Sequence, residues 1–222
     1  MARTRIKICG IKDPDMAKAA ADAGADAIGL VFVKDSPRHV TLEKAERVLS
    51  AIPPFVEPVA LFVDANVNDV WSTVEALGLR TIQLHGGETP TYIERLIDHR
   101  IIKALSFKEQ DVNAHVTEWQ NAPANVAGLV WDTPPKSNGD LTGGSGVTFD
   151  WHAMAALKNE NVLDGLPPTV LAGGLCAKNV TEAIDMIQPY SVDVSSGVES
   201  SRGVKCAKRI AAFCDAVRKA DG

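Results

Sequence analysis

The sequence predicts an α/β fold, a single (β/α)8 TIM barrel spanning residues 1–222. Three observations lead there. Short β-branched runs recur eight times, helical stretches with start and stop signals separate them, and no shift in composition marks a linker. A doubly wound sheet is the competing arrangement. It is usually announced by G-x-G-x-x-G after the first strand, and here that turn reads Cys9-Gly10-Ile11-Lys12-Asp13-Pro14.

The strand-like runs fall at residues 5–9, 27–32, 57–63, 81–85, 101–105, 126–131, 169–172 and 191–195. Asp13 before Pro14 reads as an N-cap followed by proline at the first helical position, with Gly24 as the stop. Thr41 opens a second helix, and Asn66 and Asn68 precede a third that runs to Gly78. Further helices are expected over 89–98, 109–120, 150–158, 179–187 and 204–219. One long irregular stretch, 132–148, remains. Loops of that length in compact domains are usually lids or other functional segments.

Composition narrows the function. There are 23 Lys and Arg against 28 Asp and Glu, a net charge of −5, which argues against a nucleic-acid partner. The mean hydropathy of −0.01 and the absence of a long apolar run argue against a membrane partner. The opening MARTRIKICGIKD shows no signal peptide, so a cytoplasmic location is expected. Four scattered cysteines and five scattered histidines form no metal-ligand spacing and no disulfide framework, so no metal is expected.

Strand parity is more informative. Ile6 and Ile8 alternate with Lys7 and Cys9, Ile82 and Leu84 with Gln83 and His85, and Val192 and Val194 with Asp193 and Ser195. A barrel strand's outer face packs on apolar helices, so the polar parity points into the lumen. There Lys7 and Asp193, on neighbouring first and last strands, are expected to pair, because either charge alone would be costly to bury. Cys9, His85, Asp132 and Ser195 then end their strands at the C-terminal rim, where this fold places its chemistry. Ala172-Gly173-Gly174-Leu175 and Ser195-Ser196-Gly197-Val198-Glu199 follow the last two strands. Their amides suit a phosphate, held by Gly173, Gly174, Ser196 and Gly197, or they are tight turns with nothing bound.

Each candidate has a plainer reading. Cys9 is a reactive thiol ahead of a helix N-terminus, or a small core residue. Asp132 is an acid, or a capping aspartate. Arg38 is a carboxylate clamp, or a surface cation. His85 is a pocket donor, or a hydrogen-bonded core histidine. The remaining cysteines are expected to pack, and Trp71, Trp119, Trp131 and Trp151 to anchor helices on strands.

Taken together, Lys7-Ile8-Cys9-Gly10, Gly24-Ala25-Asp26-Ala27 with Gly29, Ser36-Pro37-Arg38, Gln83-Leu84-His85-Gly86, Gly143-Gly144-Ser145-Gly146 with Phe149-Asp150-Trp151, Leu171-Ala172-Gly173-Gly174-Leu175 with Asn179, and Val192 to Glu199 resemble the phosphoribosylanthranilate isomerases of tryptophan biosynthesis. The likeness runs in order over nearly the whole chain. It implies a ribulose-phosphate-binding barrel and a cofactor-free Amadori rearrangement of a phosphosugar. In that scheme Cys9 is the base, Asp132 the acid, Arg38 the partner of the anthranilate carboxylate, and Gln83, His85, Gly144 and Asp193 bind substrate. The segment 133–142 looks longer than the usual connection, Val147 replaces a frequent lysine, and residues 200–206 replace a frequent Pro-Gly-x-Lys-Asp turn. A relative of indole-glycerol-phosphate synthase, built around lumen lysines Lys7 and Lys103, and a non-catalytic phosphosugar-binding barrel are the alternatives. The expected assembly is a monomer or homodimer.

Overall fold

A computed structural model describes residues 3–134 and 146–222. Eight parallel strands close into one barrel in sequence order. They are β1 (Arg5–Cys9), β2 (Ala27–Val31), β3 (Glu57–Phe62), β4 (Thr81–Leu84), β5 (Arg100–Ser106), β6 (Val126–Asp132), β7 (Thr169–Leu171) and β8 (Ser191–Val194). The helices between them are α1 (Pro14–Asp22), α2 (Leu42–Leu49), α3 (Val67–Leu77), α4 (Pro90–Glu94), α5 (Val112–Trp119), α6 (Trp151–Asn159) and α7 (Val180–Ile187). A short hairpin, β9 (Glu199–Ser201) with β10 (Val204–Lys205), precedes the last helix, α8 (Ala207–Asp221). Among the described residues no helix is long and apolar enough to cross a membrane.

The start signals act as written. Asp13 and Thr41 accept N–H bonds from Met16 and Lys44, Asn66 accepts one from Asn68, and Gly78 ends α3 in the left-handed conformation. Three expectations need correction. The fourth helix covers only Pro90–Glu94, after which the chain tightens into successive i to i+3 turns that still bury Ile93 and Leu96. The final helix starts three residues later than expected, because residues 199–205 form the hairpin. Trp71 is no anchor. It is 48% exposed, since α3 buries Val67, Val70 and Val74 and turns the neighbouring position off that stripe. Trp119, Trp131 and Trp151 do pack inside.

Parity holds around the ring. Ile6, Ile8, Ile82, Leu84, Val192 and Val194 belong to the shell between strands and helices. The lumen is apolar on one side, with Ala104, Val130, Val170 and Ala172, and polar on the other. On that polar side the Lys7 ammonium meets Asp193 Oδ2 at 2.8 Å, with β1 and β8 in register at these two residues. Lys103 is a correction. Its neighbours Ile102 and Ala104 take the lumen parity, so Lys103 lies on the outer one. There it pairs with Glu88 at 2.9 Å beneath the β4–α4 turn.

The hairpin is held by one carboxylate. Glu199 accepts from Arg38 Nε at 2.7 Å and Nη2 at 3.0 Å, from Lys205 Nζ at 2.7 Å and from the Gly203 amide at 2.9 Å. At the hairpin tip Gly203 has a φ of +80°, and a Cβ there would sit 2.6 Å from the Pro37 carbonyl oxygen. The tip thus packs directly against the loop that carries Arg38. Burial opposes ionisation of Glu199, but the hydrogen bonds from Arg38 and Lys205 outweigh it and bring the carboxyl from 4.5 down to about 2. A carboxyl depressed on folding stabilises the protein above its unfolded value, and that contribution is lost as the pH falls through the folded one. Folding free energy should therefore drop by on the order of 3 kcal/mol between pH 5 and pH 2 through this residue. In Glu199→Gln, itself less stable at neutral pH, the acid slope should flatten by that amount in urea titrations. Parallel slopes in the two proteins would contradict the assignment.

Candidate active site

The C-terminal rim of the barrel holds a cavity lined by Cys9, Arg38, His85, Asp132, Gly173, Gly174, Asp193 and Ser196. Eight of the residues singled out in the sequence thus meet at one place. Gln83 does not line it. It is fully buried one layer below and reaches the cavity only through His85, which corrects its reading as a direct substrate contact. Gly197 stands just behind the wall, where a Cβ would lie 1.9 Å from the Leu175 carbonyl oxygen, so the close turn excludes any side chain. Gly144 lies outside the described residues, as does most of the 132–148 loop.

Cys9 ends β1, buried, with Gly29 of β2 beside it. A Cβ on Gly29 would sit 2.7 Å from the Cys9 sulfur, so the missing side chain makes the space that the thiol occupies. Burial pushes the Cys9 thiol above its ordinary value, while the Lys7 and Lys205 ammoniums pull the other way. Lys7 itself is raised: burial lowers it, but Asp193 and Cys9 together prevail. One oxygen of Asp193 is taken by Lys7. The other, Oδ1, is buried with no hydrogen-bond partner among the described residues. A buried acceptor of that kind is costly unless a ligand donor fills it.

Asp132 ends β6; its Oδ1 accepts from the Thr133 amide at 2.7 Å, and its Oδ2 lies 3.2 Å from His85 Nε2. His85 Nδ1 lies 3.0 Å from Gln83 Nε2, so His85 is both a cavity-lining donor and part of a buried hydrogen-bonded chain.

Arg38 is a clamp, but the first carboxylate it holds is Glu199. That pair uses Nε and one Nη2 hydrogen, leaving the end-on edge of Nη1 and Nη2 without a partner among the described residues. Next to it Val31, Val33, Leu61 and Val63 form an apolar wall around Cys9. Opposite, Gly173 and Gly174 have positive φ, and their amides donate to nothing among the described residues. The sequence reading missed Glu199 and Lys205. The only signal for them was the Arg202-Gly203 turn between two short polar runs. Cys214 is a packing residue, pushed by burial up to about 11, and Cys176 and Cys206 are half-buried. Among the described residues no group of three or more His, Cys, Asp or Glu side chains is arranged to hold a metal ion.

Residues 6–216 match the family model described as N-(5'phosphoribosyl)anthranilate (PRA) isomerase. An N-(5'-phosphoribosyl)anthranilate isomerase of Pseudomonas paraeruginosa is 44% identical over 222 residues, covering 98% of this chain and 97% of the relative. One from Azotobacter vinelandii is 43% identical, covering 99% and 100%. The crystal structure of the Thermotoga maritima phosphoribosyl anthranilate isomerase superposes with a TM-score of 0.84 at 33% identity, covering 97% and 99%. Another crystal structure, of a phosphoribosyl anthranilate isomerase in complex with reduced 1-(o-carboxyphenylamino)-1-deoxyribulose 5-phosphate, gives 0.81 at 30% identity over 97% and 99%. A closed barrel with a thiol and a carboxyl at one rim, matched from end to end by these relatives, belongs to the N-(5'-phosphoribosyl)anthranilate isomerase family.

Proposed function

We propose that the barrel converts N-(5-phosphoribosyl)anthranilate to 1-(2-carboxyphenylamino)-1-deoxyribulose 5-phosphate without a cofactor, with Asp132 as acid and Cys9 as base. The observation that carries this reading is that a thiol from β1 and a carboxyl from β6 line the same cavity. The other walls suit the two ends of such a molecule. Bare glycine amides of the β7 turn, with Ser196 beside them, offer donors to a phosphate. On the other side the valine and leucine wall suits an aryl ring, and the free edge of Arg38 suits its carboxylate.

The chemistry follows from those positions. Asp132 passes its proton to the furanose ring oxygen, the C1′–O bond breaks, and C1′ becomes an iminium. The positive nitrogen makes the C2′ proton acidic, so the Cys9 thiolate removes it without Lewis-acid help. Lys7 and Lys205 support the thiolate. The resulting enolamine becomes the ketone as C1′ takes up the proton that the Cys9 thiol holds from C2′, which restores the thiolate, and O2′ releases its own to solvent. Asp193 Oδ1 is placed to accept from a sugar hydroxyl. The assembly that goes with this reading is a monomer or homodimer. One structural relative, from Thermotoga maritima, is described as dimeric.

Cys9→Ala and Asp132→Asn should each lower turnover by on the order of 10²–10⁴ with the far-UV spectrum unchanged. Neither variant should rescue a tryptophan auxotroph lacking this one step, whereas the wild type should. Near-normal turnover in either variant rejects that residue's role. Arg38→Ala should weaken binding of the anthranilate-bearing product analogue far more than that of a plain pentose phosphate; equal losses rule out the carboxylate contact. Because burial holds the Cys9 thiol above its ordinary value, kcat/KM of the free enzyme should still be climbing above about pH 8.5. A profile flat from pH 7 upward would show that Cys9 is not the base.

A further inference from the structure

We propose that His85 is the proton relay of the acid, returning to Asp132 the proton it spends in each turnover and drawing it from a second cavity behind the substrate site. This rests on Asp132 being the acid. The second cavity, of about 370 Å³, opens between the β3–α3 turn, the β4–α4 turn, β5 and α5, and is large enough for several waters. His85 and Asp132 line it as well as the substrate cavity, so this close pair forms the partition between the two.

Three details fit a relay better than a passive wall. The groups nearest the Asp132 oxygens are the Thr133 amide, which donates to Oδ1, and His85 Nε2, 3.2 Å from Oδ2, and only the histidine has a transferable proton. Behind it, Gln83 Nε2 lies 3.0 Å from Nδ1, while Gln83 Oε1 is buried with no partner among the described residues. An amide donates to a bare Nδ1 through its nitrogen and, turned over, accepts from a protonated Nδ1 through its oxygen. Gln83 can therefore turn over to hold Nδ1–H throughout the relay cycle. Third, the charged groups on the second cavity are Asp64, Glu88 and Glu118 against Lys103, with His115 from α5, a negative excess that draws cations, hydronium included.

The protons balance. After Asp132 has protonated the ring oxygen, its carboxylate takes the proton from Nε2 of the His85 imidazolium, leaving the neutral ring protonated at Nδ1. Water of the second cavity then returns a proton to Nε2. One proton leaves O2′ for solvent as the ketone forms, so nothing accumulates.

The test separates first turnover from steady state. In His85→Gln the acid starts loaded, so rapid mixing with substrate should give a burst of about one product per site near the wild-type rate. Turnover after the burst should be slower by on the order of 10²-fold, with KM within a factor of about three. In His85→Ala, added imidazole should speed only the slow phase, and a series of substituted imidazoles should do so in order of their acidity. The proposal is overturned if the first turnover slows as much as the rest, if KM rises with kcat unchanged, or if imidazole acidity has no influence. Asp132→Asn run alongside isolates the underlying reading. If it stays active, Asp132 is not the acid; if it is inactive while His85→Gln turns over at the wild-type rate, only the relay fails.

Discussion

The buried ion pair between Lys7 and Asp193 is the interaction on which the site depends. It joins the first strand to the last, where the barrel must close, with the two residues in register across that seam. Two residues further along each strand come Cys9 and Ser195, whose hydroxyl donates to the Cys9 carbonyl at 3.1 Å. The pair thus fixes the depth and azimuth of the thiol. Its charges are dry, so removing one partner leaves the other stranded at a cost of about 3–5 kcal/mol. Lys7 also places a positive charge beside a sulfur that burial otherwise keeps protonated.

A second ionic cluster does for Arg38 what this pair does for Cys9. Glu199 faces two cations, Arg38 and Lys205, and ties the hairpin to the loop after β2. By holding the guanidinium along one edge it presents the other to the cavity. Arg38 is therefore a fixed donor rather than a flexible surface arm, and its rotamer entropy is lost on folding instead of on binding.

Much of this was legible in the sequence, and the reasons are local. Period-two alternation in strands 1, 4 and 8 sorts residues onto two faces, and closure then dictates which face is inside. That is why Cys9, His85, Asp193 and the Lys7–Asp193 contact were readable. Glycine pairs at strand ends mark turns regardless of context. What escaped depended on distance or on irregularity. Arg38 and Glu199 stand 161 residues apart, and no pattern in either neighbourhood points to the other. Lys103 was read as a lumen residue without its own strand's alternation being weighed, although Ile102 and Ala104 take the lumen face of β5 and leave Lys103 the outer one. Gln83 has the same parity as His85, yet alternation gives a face and not a depth. Trp71 followed a preference of its residue type that the α3 stripe overrode. The alternatives weighed from the sequence, a synthase relative and a binding-only barrel, give way to the end-to-end family match.

Two glycine pairs punctuate the mouth of the barrel, and in the bare sequence they look alike. After β4, the Gly86 and Gly87 amides are already engaged, by Glu88 at 2.9 Å and by Asp64 at 2.6 Å. After β7, those of Gly173 and Gly174 have no acceptor among the described residues. A molecule bearing negative charge at both ends would find a cradle on one shore and resident anions on the other. The rim therefore has a polarity of its own: of its two glycine pairs only the one after β7 offers free amides among the described residues, which helps to settle which way round an elongated guest must lie.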